Sequence, residues 1–157
     1  MTGVCANKEA FSLFEGHWLI TRVISNGVSA QGHAEFRRRS TGILDYIEVG
    51  ALSSGECFSK QYRYCLQNRV IRVEHNDRVK KGQPFHEIEF SRQGGEGDGI
   101  LQARAKILCG HDHYDSTYEV AQFGIKLVHL ISGPRKDYQI ETQFTRQASN
   151  ENLQPSA

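Results

Sequence analysis

After Gly16 the chain is cut into about ten short runs rich in Val, Ile, Tyr, Phe and Thr, each ended by turn chemistry, the pattern of an all-β sandwich or barrel. The breaks fall at Ser25-Asn26-Gly27, Ser40-Thr41-Gly42, Ser53-Ser54-Gly55 and Gln67-Asn68, from Asn76 to Pro84, from Gln93 to Gly99, and at Gly110, Gly124 and Gly133-Pro134. Connections this short join antiparallel neighbours, because a parallel crossover needs a dozen or more residues. Helical periodicity occurs once, ahead of these runs. Asn7 reads as the N-cap of a turn or two that carries Ala10, Phe11 and Phe14 on one face, and Gly16 ends it. The expected fold is all-β: a single antiparallel up-and-down β-barrel of about 8–10 strands with a short N-terminal helix. It takes up residues 1–146, and residues 147–157 read as a polar, disordered tail.

The 157 residues, 38% hydrophobic and 24% charged, suit one domain with one core. A formal net charge of +1 gives no global drive toward nucleic acid or an anionic membrane. No apolar run is long enough to span a bilayer, and Met1 to Ala10 lacks the apolar stretch of a secretory signal, so a cytoplasmic protein is expected. Cys5, Cys57, Cys65 and Cys109 show no C-x-x-C spacing. The last three fall in strand-like runs where a reduced thiol packs as a small hydrophobe, the usage of free thiols in a reducing compartment.

Alternation sorts the two faces of the sheet. With Trp18 inward, Ile20, Arg22 and Ile24 follow it. The third run turns Leu44, Tyr46, Glu48, Gly50 and Leu52 the same way, and the fourth turns Phe58, Lys60, Tyr62 and Tyr64. The sixth gives His86, Ile88 and Phe90 against Phe85, Glu87 and Glu89. The last gives Lys136, Tyr138, Ile140, Thr142, Phe144 and Arg146 against solvated Asp137, Gln139, Glu141, Gln143 and Thr145. Charged and phenolic groups thus share a face with large apolar ones. A sandwich interior is almost uniformly apolar, whereas a barrel with a cavity can carry paired or hydrated polar groups inward. The inner face therefore indicates a partly hydrated cavity with aromatic walls.

Phe14-x-Gly16-x-Trp18 after a short helix, followed by about ten antiparallel runs and a terminal Arg146, resembles the calycin superfamily of lipocalins, fatty-acid-binding proteins and nitrobindin-like barrels. The resemblance implies that Trp18 sits near the closed end of a barrel and that Arg146 packs over it, both in structural roles. The chain is also similar to an uncharacterised group of small β-rich proteins through Phe85-His86, Cys109-Gly110-His111-Asp112-His113-Tyr114 and Gly133-Pro134-Arg135-Lys136-Asp137-Tyr138. Two departures matter. Only Asn26 to Ala30 is available where fatty-acid-binding proteins insert a helical lid, and no histidine follows His129 where nitrobindin-like barrels hold haem. Long-chain lipid transport and haem binding lose support, and no cofactor is expected.

His111-Asp112-His113 with Asp115 offers imidazole and carboxylate donors, but on a strand Asp112 points away from both histidines, and no metal site is assigned. Alternation splits Arg37-Arg38-Arg39, a run read as solvated edge charge without the aromatic platform of a nucleic-acid surface. Lys80-Lys81 reads as a loop, and Gly94 to Gly99 as a flexible hairpin or rim.

The inward cluster carries the functional expectation. Arg22 and Glu48 can form a buried pair, Tyr46, Tyr62, Tyr64, Tyr114 and Tyr138 can donate to a ligand oxygen, and Lys136 with Arg146 can balance an anion, although stacking over Trp18 explains Arg146 without a ligand. His86 is either a satisfied core histidine or the natural proton carrier. The first reading is a binding module for a small, partly polar, aromatic or carboxylate-bearing molecule, working as monomer or homodimer. Its ligand-binding set is Arg22, Tyr46, Tyr62, Tyr64, His86, Tyr114, Lys136 and Tyr138. The alternative is a cofactor-free lyase or isomerase with Glu48 or His86 as general base, which calls for a raised Glu48 pKa and reach to His86. A protein-interaction module, requiring a filled barrel and a large exposed apolar patch, is the third.

Overall fold

The computed structural model describes residues 3–92, 99–109 and 111–147. Its elements are α1 (Gly3–Phe14), β1 (Gly16–Ile24), β2 (Ser29–Ser40), β3 (Ile43–Leu52), β4 (Cys57–Leu66), β5 (Ile71–His75), β6 (Pro84–Ile88), β7 (Phe90–Arg92), β8 (Leu101–Cys109), β9 (Asp112–Ala121), β10 (Gly124–Ser132) and β11 (Asp137–Arg146). All eleven described strands belong to one antiparallel sheet in the order β6-β5-β4-β3-β2-β1-β11-β10-β9-β8-β7. Each strand pairs its chain neighbour except at two places. β1 meets β11 in a register running from Trp18 opposite Arg146 to Ile24 opposite Ile140, which joins the two halves of the meander. The other place is the seam: β6 pairs β5, β7 pairs β8, and only Glu89 separates them. One extended segment therefore changes partner midway and nearly closes the barrel. Taken as one interrupted strand, β6 and β7 bring eleven segments to ten staves.

The helix begins four residues before the expected N-cap. Asn7 lies inside α1, fully buried, and its amide serves tertiary contacts: Nδ2 donates to Arg69 O at 2.9 Å and Phe90 N donates to Oδ1 at 2.7 Å. The second bond satisfies a main-chain donor at the point where the seam strand changes partner. Ala10, Phe11 and Phe14 face the barrel as expected, with Phe14 stacked on Phe36 at 5.0 Å and edge-on to Phe90, so α1 plugs one end. Its C-terminal carbonyls need partners. Trp18 Nε1 donates to Phe14 O at 2.9 Å, and Arg146 donates to Leu13 O at 2.7 Å and Glu15 O at 3.1 Å, while its guanidinium lies 4.2 Å above the Trp18 ring. Gly16, with φ of 134°, makes the passage from α1 to β1; a Cβ there would also stand 2.9 Å from Arg146 Nη1.

Inside, β2 contributes only Ala30, Gly32 and Ala34 before Phe36. Gly32 lies opposite Gly50, and a Cβ on either would come within 2.2 Å of Val49 O or 2.4 Å of Gln31 O, a close approach that only glycine permits. The space spared on this side holds larger residues from the strands around it. Trp18, Ile20, Leu44, Ile71, Val73, Ile88, Phe90, Leu101 and Val120 are essentially inaccessible to solvent.

Two face assignments change. Phe85, expected outward beside Glu87, turns inward, because a bulge pairs Val73 with His86 and Glu74 with Pro84 and leaves Phe85 as the extra residue. Lys136, expected inward at the head of the last strand, precedes β11 in the turn closed by the Gly133 N to Lys136 O bond, so the strand alternation never reaches it. Cys57 is exposed instead of packed, Cys65 is half-buried, and with exposed Cys5 these are free thiols. The Cys109 side chain, the Gly94 to Asp98 part of the glycine-rich loop, and the tail expected to be disordered, apart from Gln147, lie outside the described residues. No described helix is long and apolar enough to cross a membrane.

Candidate functional site

Two polar networks occupy the lumen. In the first, Arg22 makes a forked bond to Glu48, with Nη1 to Oε2 at 2.7 Å and Nη2 to Oε1 at 3.0 Å, and its Nε donates to Thr142 Oγ1 at 2.8 Å. Tyr46 Oη donates to Glu48 Oε1 at 2.5 Å. Burial acts to raise the Glu48 carboxyl, but the guanidinium fork and the phenol outweigh it and hold the group below the usual carboxylate range. Burial, and after it the Glu48 charge, pushes the Tyr46 phenol well above its ordinary value.

In the second network Tyr118 Oη sits 2.7 Å from His86 Nε2 and is also hydrogen-bonded to Tyr64. Burial, followed by the neighbouring His129 and His75, lowers the His86 pKa to about 3, so the ring is neutral at physiological pH. Its Nδ1 is buried with no partner among the described residues. The ring packs at 4.3 Å against Phe85 and lines neither the inner void nor the mouth cavity. The general-base expectation needed a raised Glu48 in reach of His86. Glu48 is instead held low by Arg22, and the hydrogen bonds of the two residues run through separate networks.

Around the first network only about 50 Å³ is open, room for one or two waters. Toward the open end the barrel widens into a cavity of about 340 Å³ lined by Lys60, Tyr62, His75, Lys80, Pro84, Phe85, Ile107, Tyr114, His129, Ile131 and Ile140. Lys60, Tyr62, Phe85, His129 and Ile140 border both spaces and form the floor of the mouth. Tyr62 and Phe85 stack at 5.2 Å with their planes 17° apart. Burial, then the Glu48 charge, pushes the Tyr62 phenol up to about 12, so it stays a donor. Burial, then Lys60 and Arg22, lowers the His129 pKa to about 4, and Ser116 Oγ holds its Nδ1 at 2.6 Å. Lys60 stands across the strand pair from Glu48 and is within range of its charge, yet it forms no ion pair with a carboxylate among the described residues, whereas Arg22 and Tyr46 bond directly to Glu48.

The expected site residues thus divide. Arg22, Tyr46 and Glu48 meet in the first network, Tyr64 and His86 in the second, and Tyr62 and Tyr114 line the mouth. Lys136 lies apart, paired with Asp112 Oδ2 at 3.2 Å, and Tyr138 borders a surface depression with His113, Asp115 and Leu130. Among the described residues no three His, Cys, Asp or Glu groups converge as metal ligands. Arg37, Arg38 and Arg39 are each paired on the surface, with Glu35, Glu15 and Asp45. Lys60, Phe85, Ser116, Tyr118, His129 and Thr142 were not anticipated as site residues. The same alternation that found Tyr62 runs through Ile125, Leu127, His129 and Ile131 and marks the histidine, whereas the bulge that turns Phe85 has no such signal.

A plugged antiparallel barrel with a small cavity at its open mouth is the class that fold and geometry define. Over residues 14–146 the sequence matches the family of unknown function DUF6314, and the chain belongs to that family. No curated protein matches it. Rv2717c from M. tuberculosis, a crystal structure, superposes with a TM-score of 0.65 at 10% identity, covering 90% of this chain and 98% of that one. The structure of EF1p2_mFAP2b bound to DFHBI superposes with a TM-score of 0.51 at 13% identity, covering 88% and 97%. Both are likenesses of barrel fold alone.

Proposed function

We propose that the protein binds a small, partly polar molecule with an aromatic body in the cavity at the mouth of its barrel. The observation that carries this reading is the contrast between the two internal spaces: the lumen is closed down to about 50 Å³ by satisfied side chains, while about 340 Å³ stays open behind an aromatic and aliphatic wall. The larger space lies at the lower end of the 300–1,000 Å³ typical of small-molecule pockets. Tyr62, Tyr114 and His129 supply convergent polar groups, and Phe85, Ile107, Ile131 and Ile140 supply the apolar wall. Room at the mouth favours a ligand over a filled interaction module, and the low, engaged Glu48 favours binding over proton transfer. The same reading takes residues 1–146 as one calycin-like domain, and the free thiols suit a cytoplasmic setting.

Native mass spectrometry of protein purified from its own host tests the reading. A retained small molecule is expected on the wild type and absent from Ile140→Trp, which fills the cavity floor. An empty wild type that also shows no Tm shift with any neutral aromatic probe overturns it.

A further inference from the structure

We infer that the mouth cavity is an anion site shaped for a flat aromatic monocarboxylate whose charge is held by Lys60, an assignment that rests on the binding reading above. Of the eleven side chains that line the cavity, two are ammonium groups, Lys60 and Lys80, and none is a carboxylate. Arg22, behind the floor, is already neutralised by Glu48. Across β3 and β4 Lys60 feels the Glu48 charge but makes no ion pair with it, the direct bonds to that carboxylate coming from Arg22 and Tyr46. Lys60 is exposed to solvent at the mouth and has no carboxylate partner among the described residues, and a concave site of one sign concentrates the opposite charge. Water reaches Lys60 through the mouth; partial desolvation first and Arg22 second lower its pKa while Glu48 raises it, and the charge of a bound carboxylate offsets the Arg22 repulsion.

The rest of the cavity fits the same class. In the tautomer in which Ser116 Oγ–H donates to His129 Nδ1, Nε2 carries the proton and can donate to a ligand oxygen beside the Tyr62 phenol. Of the two ammonium groups only Lys60 borders the floor with Tyr62 and His129, and one ammonium there with two neutral donors matches a monoanion; a phosphate dianion is better served by guanidinium forks, and no arginine lines this cavity. The near-parallel Tyr62 and Phe85 rings, with Ile107, Ile131 and Ile140, make a wall for a planar apolar body.

Calorimetry with 2-naphthoate and its neutral counterpart 2-naphthalenemethanol tests the assignment. The wild type should prefer the carboxylate by at least about tenfold. Lys60→Met should abolish that preference, and Lys60→Arg should keep most of it. The preference should fall as the pH rises, beginning below the ordinary lysine value of about 10.4. Equal affinities in the wild type, or a preference that survives Lys60→Met, overturn the anion site and leave the cavity reading standing. Displacement of 2-naphthoate by equimolar inorganic phosphate overturns the carboxylate class. Failure of both probes to bind at millimolar concentration overturns the aromatic monocarboxylate assignment, while the binding reading itself falls only with an empty wild type in native mass spectrometry.

Discussion

At the closed end Trp18 Nε1, the Arg146 guanidinium and the Asn7 amide all bond to main-chain groups, whereas at the mouth the Lys60 ammonium has no carboxylate partner among the described residues. Both ends are built from the same strands. β1 starts at the plug and β11 finishes there, while β4 carries Tyr64 into the core and, four residues earlier, Lys60 to the mouth. The difference lies in what the inward positions meet. Near the plug they meet helix termini and the seam, which have main-chain groups to satisfy; near the mouth they meet space. Stability should therefore be concentrated at one end and binding at the other.

Trp18→Ala should break the comparison most severely if it is wrong. It removes a fully buried indole, the donor to Phe14 O and the surface beneath Arg146. A loss of about 3–5 kcal/mol is expected in urea denaturation, the range for large aromatic truncations in cores. A loss below about 1 kcal/mol would show that the plug does not anchor the barrel.

Between the two ends lies the Arg22–Glu48 pair, and its removal separates a structural from a binding role. Glu48→Ala strands a buried guanidinium and should cost about 3–5 kcal/mol, whereas the double change Arg22→Met with Glu48→Leu should recover most of that loss. If the double variant is as unstable as the single one, the lumen depends on Tyr46 and Thr142 more than on the charges.

The buried histidines give the third test through pH. His86 titrates near 3 and His129 near 4 in the folded chain, against about 6.5 when unfolded. Between those limits the unfolded chain binds more protons, so the stability they contribute is whole above about pH 6.5 and is lost as the pH falls toward the folded values. Each should add a slope of up to about 1.4 kcal/mol per pH unit between roughly pH 6 and 4. Glu48, also depressed, adds its loss only below its unfolded value of about 4.3. Chemical denaturation at pH 7, 6 and 5 should show the decline, and His129→Gln should roughly halve it; a flat profile would mean that water hydrates both rings.

Most of the architecture was legible because turn chemistry and period-two alternation are local. They placed Trp18, Arg22, Tyr46, Glu48, Lys60 and His86 on the inner face before any pairing was known. The site was less legible because its content is decided by competition between inward groups. The Arg22–Glu48 pair could be expected from their shared face, but nothing local says that Lys60, opposite Glu48, is left without a carboxylate partner among the described residues. The bulge at Phe85 and the interior position of Asn7 in its helix depend likewise on β5 and the seam, which alternation cannot see.

Lys136 provides the smallest and most discriminating effect. As a charge on the inner face it would have been the natural anion partner, but it stands at the rim with 42% of its side chain exposed, 3.2 Å from Asp112. Exposed pairs of this kind contribute about 0–1 kcal/mol. Lys136→Ala should therefore lower stability by less than about 1 kcal/mol and leave the affinity for 2-naphthoate unchanged, in contrast to Lys60→Met. Equal losses of carboxylate affinity in the two variants would mean that the positive charge acts through the general field of the open end. A loss confined to Lys60 would place it in one contact, because Lys136 does not line the cavity and is already paired with Asp112, and its charge is screened by salt over about 8 Å.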